Sequence, residues 1–167
     1  MNRSHQAASA DTLQIQRDPT RAGWILKAEQ WFPVPLEKVF EFFSDASNLE
    51  TLTPPWVKFQ ILTPLPIEMR TGTLIDYRLR VHGLPLKWRS EISVWEPLSR
   101  FVDEQRQGPY RYWHHDHCFT REGEGTLVKD MVHYGVPGGR LIHTLFVAPD
   151  LRRIFGFRQQ KLREMFG

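Results

Sequence analysis

Between Val57 and Tyr134 the chain presents six strand-like stretches in succession, with no helical pattern between them. Parallel neighbours need crossover connections, usually helical, so this run calls for an antiparallel sheet and places the chain in the α+β class. Apolar helical periodicity returns only at the C-terminus. One terminal helix must then cover a face of the whole meander, and the sheet has to curl around it. The expected architecture is a curved antiparallel sheet of about seven strands wrapped around a long C-terminal helix, with two short helices after the first strand. Side chains need not fill the space between sheet and helix, so an internal cavity there is the natural ligand site.

Individual stretches carry the pattern. Trp24 to Phe32 is apolar and aromatic and ends at Pro33 and Pro35, a strand followed by a turn. Leu36, Val39, Phe40 and Phe43 then fall on one helical face, and Ser44, Asp45 or Ser47 can cap a second short helix over Asn48 to Leu52. Val57 to Leu62 reads as a short strand. From Gly72 to His82, Ile75, Tyr77, Leu79 and Val81 alternate with Asp76, Arg78, Arg80 and His82, as a half-buried strand requires. The next strand, Leu86 to Glu96, should turn Leu86, Trp88, Ser90, Ile92 and Val94 inward. Gly108-Pro109 marks a hairpin between Arg100–Gln107 and Tyr110–Arg121, and a turn at Glu122 to Gly125 leads into the last strand, Thr126 to Tyr134. Gly135 to Gly139 is a strand-to-helix corner. Pro149 should break or kink the final helix, whose apolar stripe comprises Leu151, Ile154, Phe155, Leu162, Met165 and Phe166.

The boundary read from composition lies at residues 22 and 23. Residues 1–22 form a polar tail or arm, in which Leu13 and Ile15 can make a brief strand, and residues 23–167 form a single domain. Residues 1–22 lack the apolar run of a secretory signal, and no stretch is long and apolar enough for a membrane span. Cys118 is the only cysteine, so no internal disulfide can form, which fits a reducing compartment; cytoplasmic is the default location. The net charge of +3 is mild, and the arginines are spread singly along strands, so nucleic acid is not an expected partner. Aromatics are abundant, at 13% of residues. They either fill the core or line a cavity for an apolar or ring-shaped ligand.

Several local motifs carry a resemblance. They are Pro35 to Asp45, Asn48-Leu49, Thr53-Pro54, Arg100-Phe101-Val102-Asp103-Glu104-Gln105, Gly108-Pro109-Tyr110, the alternating Trp113, His115, His117 and Phe119, Thr126-Leu127-Val128 with Asp130, and Tyr134 to Gly139. Together with the element order they resemble the SRPBCC superfamily, the START-related helix-grip proteins that include the birch-pollen-allergen and polyketide cyclase/dehydrase types, over roughly Trp24 to Leu162. The resemblance implies a helix-grip fold with an internal ligand cavity. It leaves function open, because the superfamily spans lipid carriers, hormone receptors, cyclases and hydrolase-activating partners. Pro149 departs from a straight final helix.

The densest polar cluster is Trp113 to Cys118. On a strand, Trp113, His115, His117 and Phe119 point one way and His114, Asp116 and Cys118 the other. The apolar ends of the first set make it the concave-face candidate. His115 and His117 would stand about 6–7 Å apart and can act as acid and base, meet a polar ligand group or hold a metal. A metal would need Asp103 or Asp130 as well, and no zinc spacing motif is present, so no metal is assigned. Asp130 shares its face with Val128, Val132 and Tyr134 and needs a partner, for which His115, His117 or Arg140 are candidates. Tyr77, Trp88 and Trp113 can wall a cavity, and Asp103 and Gln105 share a strand face above it. Cys118 has no paired histidine motif, and Gly135 to Gly139 lacks phosphate-loop spacing, so no nucleophilic thiol and no cofactor is assigned.

The leading expectation is binding of a small hydrophobic or aromatic molecule by Tyr77, Trp88, Asp103, Gln105, Trp113, His115, His117 and Asp130. The alternative is a cyclase-, dehydratase- or hydrolase-type enzyme with His115 or His117 as general acid or base. A third reading docks a protein partner on the basic final helix or the N-terminal arm.

Overall fold

The computed structural model describes residues 11–167; the first ten residues of the expected tail lie outside them. The element order is β1 (Thr12–Arg17), β2 (Trp24–Phe32), α1 (Leu36–Ser44), α2 (Leu49–Leu52), β3 (Gln60–Ile61), β4 (Leu74–Val81), β5 (Leu84–Glu96), β6 (Arg100–Gln107), β7 (Tyr112–Glu122), β8 (Gly125–Gly135), α3 (Gly139–Ile142), a π-helical turn (His143–Val147) and α4 (Ala148–Phe166). The eight strands form one sheet in the order β1-β2-β8-β7-β6-β5-β4-β3, antiparallel at every pairing. This is the helix-grip α+β architecture, with one strand more than the seven expected.

The extra strand comes from the segment read as a tail. β1 pairs along its length with β2, and Leu13 and Ile15 are half-buried against the core. Its polar residues sit at a sheet edge, where one face and one backbone edge remain in solvent, so composition alone read it as an arm. The stretch read as a strand over Val57 to Leu62 is reduced to Gln60–Ile61, because Pro55–Val57 forms a 3-10 turn.

Helix α1 buries all four residues of its apolar face, Leu36, Val39, Phe40 and Phe43. Asp45 caps the 3-10 turn that follows by accepting from the Ser47 backbone N–H. In β5 an extra residue at Ser93 shifts the register between Ile92 and Val94. The bulge reverses the alternation, so Trp95 rather than Val94 turns inward, packing 5.4 Å from Phe40 and 5.5 Å from Phe101 between ring centroids. The strand arginines pair across the sheet with carboxylates, as in Arg89–Asp76, Arg100–Asp116 and Arg106–Glu91.

Gly138 and Gly139, at φ 83° and 67°, turn the chain from β8 into α3. The α-helix is interrupted just before Pro149, where a break or kink was expected, but the chain stays helical across the interruption. The π-helical turn precedes Pro149, which sits in the first turn of α4, where a missing N–H removes little. Helix α4 buries Leu151, Phe155 and Leu162, each a side chain whose full burial is worth about 1.5–3 kcal/mol. Met165, assigned to the same stripe, is 45% exposed. Leu151 and Phe155 pack with Trp24, Trp88 and Trp113 in one cluster, and Leu162 with Phe32, Phe40 and Phe119 in another. The β7 inner face therefore begins in one apolar cluster at Trp113 and ends in the second at Phe119. No helix among the described residues is long and apolar enough to cross a membrane.

Candidate functional site: an apolar cavity with a polar floor

A cavity of about 470 Å³ lies between the concave face of the sheet and α4, within the range of small-molecule sites. Strands β4, β5 and β7 supply its aromatic wall. Tyr77 and Trp88 are register partners on neighbouring strands and stack at 5.9 Å, and Trp113 meets Trp88 edge-to-face at 5.5 Å. Ser90, on the same face, accepts from Trp88 Nε1 at 3.0 Å and lies 3.0 Å from the Tyr77 hydroxyl. Burial holds the Tyr77 hydroxyl well above its ordinary pKa, and the nearby Asp103 carboxylate adds to this.

The polar floor is assembled by register. Asp103 on β6 pairs with His115 on β7, and His117 pairs with Asp130 on β8. The two imidazoles lean together until their ring centres are 3.7 Å apart, closer than the strand rise alone suggests. His115 Nε2 lies 2.8 Å from Asp130 Oδ1, and His117 Nε2 lies 2.8 Å from Asp103 Oδ2. The Nδ1 atoms face the opposite carboxylates: His115 Nδ1 is 3.5 Å from Asp103 Oδ2 and His117 Nδ1 is 2.9 Å from Asp130 Oδ1. The last contact is close but poorly aligned, leaving His117 Nδ1 buried without a hydrogen-bonding partner among the described residues.

Burial lowers the His115 pKa, and His117 beside it lowers it further. Burial also opposes charge on His117, but its contacts with Asp103 and Asp130 outweigh that and hold its pKa above the ordinary value. Burial would raise Asp103 and Asp130, yet both lie below the ordinary carboxylate range, Asp103 chiefly through the two histidines and Asp130 chiefly through Arg158. These contacts favour a proton on His117 over one on His115.

Of the residues singled out in the sequence, Tyr77, Trp88, Asp103, Trp113, His115 and His117 line the cavity. Asp130 does not; it stands behind the histidines. Gln105 does not either. Its amide Nε2 donates to the Tyr110 carbonyl at 2.8 Å and its Oε1 accepts the Tyr110 N–H at 3.1 Å, closing the β6–β7 hairpin. Arg140, the suggested cationic partner of Asp130, is exposed on α3. Arg158 takes that role, with Nη2 at 3.3 Å from Asp130 Oδ1. The signal for Arg158 was present: it sits seven residues after Leu151 and four before Leu162, within the apolar stripe of α4. His143 was also missed. It is buried, stacked on Trp24 at 3.8 Å between ring centres and 3.0 Å from the Tyr134 hydroxyl, and burial pushes its pKa down to about 4. Cys118 faces away from the floor, and burial pushes its thiol up to about 11, so it is no activated nucleophile.

Residues 32–163 match the family described as polyketide cyclase / dehydrase and lipid transport. The chain belongs to this family. No curated protein matches it in sequence. Among solved structures, Ms6760 from Mycobacterium smegmatis superposes with a TM-score of 0.66 at 14% identity, over 93% of this chain and 96% of its own. CV1439 from Chromobacterium violaceum gives 0.66 at 13% identity, over 85% and 96%. The major latex-like protein 151 of Panax ginseng gives 0.61 at 11%, also over 85% and 96%. At these identities the likeness speaks for the fold alone. The span matched by the polyketide cyclase/dehydrase family contains the whole polar floor, Arg158 included, while β1 falls outside it.

Proposed function

We propose that the chain binds a small hydrophobic or aromatic molecule in the cavity between sheet and α4. Tyr77, Trp88 and Trp113 flank the apolar body of the ligand, and Asp103, His115 and His117 meet a polar group at one end. The observation that carries this reading is the cavity of about 470 Å³, apolar along its wall and closing on a polar cluster of Asp103, His115, His117 and Asp130. Burying apolar ligand surface contributes about 25 cal/mol per Å², less the cost of ordering both partners. The polar floor adds little net affinity but selects among ligands, because a molecule presenting only hydrocarbon there leaves hydrogen-bonding groups unpaired.

The test is a titration of the full chain with a panel of fatty acids, sterols and polyketide-like aromatics, followed by quenching of tryptophan fluorescence, together with native mass spectrometry of co-purifying molecules. Saturable one-to-one binding by a subset of the panel is the outcome this reading requires. The absence of saturation across the panel removes it.

A further inference from the structure

We infer that Asp103, His115 and His117 form a binding site for one divalent transition-metal ion of the zinc or cobalt class, open to the cavity. One ligand atom from each of the three residues lies within 4.8 Å of the other two. In a tetrahedral site with bonds of about 2.0–2.2 Å, neighbouring ligand atoms stand roughly 3.2–3.6 Å apart. Small side-chain shifts therefore bring the three donors to an ion between them. Two imidazoles and a carboxylate suit zinc, cobalt or ferrous iron rather than calcium or magnesium, which prefer all-oxygen sites.

The surroundings have the form that such an ion requires. Metal-binding histidines give their second ring nitrogen to a carboxylate or carbonyl, which fixes ring orientation and tautomer. Here one carboxylate stands beside both rings, hydrogen-bonded to His115 and close to His117. Asp130 Oδ1 is 2.8 Å from His115 Nε2 and 2.9 Å from His117 Nδ1, on the side away from the cavity. With the His115 Nε2–H turned to Asp130, His115 Nδ1 presents a lone pair towards Asp103 Oδ2 at 3.5 Å, and His117 Nε2, 2.8 Å from the same oxygen, would exchange its hydrogen bond to Asp103 for the ion. A cation between Asp103 and the two rings would take the place of the proton that joins His117 to Asp103. Arg158 lies against Asp130 and balances that carboxylate, leaving the charge of Asp103 for the ion. Asp103, His115 and His117 all line the cavity, so a fourth coordination position faces the space available to a ligand. The alternative occupant of the gap is a proton on His117.

Uptake of the ion does not depend on an organic ligand in the cavity. An empty ligand screen would remove the organic-ligand reading and leave the metal site intact. The full chain, stripped with a chelator, is titrated with Co2+ alone, followed by visible absorption, and with Zn2+ alone, followed by calorimetry. Saturation at one equivalent is expected, with the ligand-field spectrum of a four- or five-coordinate cobalt ion. Affinity should fall by more than about 100-fold in His117→Gln and Asp103→Asn, and by about 10–100-fold in Asp130→Asn. Circular dichroism checks that each variant folds, and Asp103→Asn carries the assignment if His117→Gln does not. A wild-type chain that takes up no equivalent of either ion overturns the site without reference to any variant. So does uptake that a folded His117→Gln or Asp103→Asn leaves unchanged, which would place the ion elsewhere on the molecule.

Discussion

Nη2 of Arg158 on α4 lies 3.3 Å from Oδ1 of Asp130 on β8, an ion pair between helix and sheet with side chains only 10% and 8% exposed. Removing one partner of a buried pair leaves the other charged and uncompensated. Arg158→Met should destabilise the chain by about 3 kcal/mol, a fall in Tm of roughly 6–12 °C for a chain of this size. The double variant Arg158→Met/Asp130→Leu should recover only part of that loss, because Asp130 also bonds His115 and stands beside His117. Thermal unfolding of the three proteins checks both statements; a single variant as stable as wild type would show that the pair carries no weight.

Filling the cavity should separate ligand binding from folding. Leu79 lines the cavity from β4 and is half-buried. Leu79→Trp extends a side chain into existing space, so Tm should stay within about 5 °C of wild type, while affinity for any ligand found in the fluorescence titration falls at least tenfold. Unchanged affinity would place the ligand outside this cavity.

Gln105 offers the converse test. Its two bonds to Tyr110 close a hairpin rather than face the cavity. Gln105→Ala should cost about 1–2 kcal/mol in urea unfolding and leave ligand affinity within about twofold of wild type.

His143 makes stability depend on pH. Its folded-state pKa of about 4 lies below the unfolded value of about 6.5, because burial disfavours the charged ring and Arg152 and Arg17 oppose it further. Between those two values the unfolded chain binds the proton and the folded chain does not, so stability falls as pH falls. The contribution of His143 is therefore intact above about pH 6.5 and lost progressively down to about pH 4. His115, also depressed, acts in the same direction. The share belonging to His143 is the difference in slope between wild type and His143→Gln, measured by urea unfolding across that window. Equal slopes would refute the assignment.

Much of the fold was legible because alternation and helical period report burial directly. Ile75, Tyr77, Trp113, His115, His117 and Phe119 read correctly as inward, as did the four apolar residues of α1. The features that escaped depend on partners far away in sequence. The bulge at Ser93 reverses a face without changing the composition around it. Strand β1, foreseen as a brief strand at Leu13 and Ile15, runs longer because pairing with β2 rather than its own apolar content holds it. At the site, the histidines and carboxylates were visible as residues, but only register shows that Asp103 and Asp130 approach the histidines from opposite strands. Gln105, on a correct face, is drawn off by a hairpin. Arg158 lies within the apolar stripe of α4 by position, although an arginine by residue type belongs in solvent.

The π-helical turn before Pro149 also sets the phase of the helix. A wider turn holds one residue more than an α-turn, so side chains upstream are rotated by roughly 100° relative to the α4 stripe continued backward. Continued without a slip, Leu151 and Ala148 would lead to Thr144 and Leu141, yet both of these are exposed and His143 is buried instead. This one-residue frame shift delivers an imidazole to Trp24 and Tyr134 and turns Leu145 and Phe146 out to solvent. Deleting a single residue within 144–147 would place His143 seven positions before Leu151, so an unbroken α-helix would keep its ring on the buried face without the wide turn.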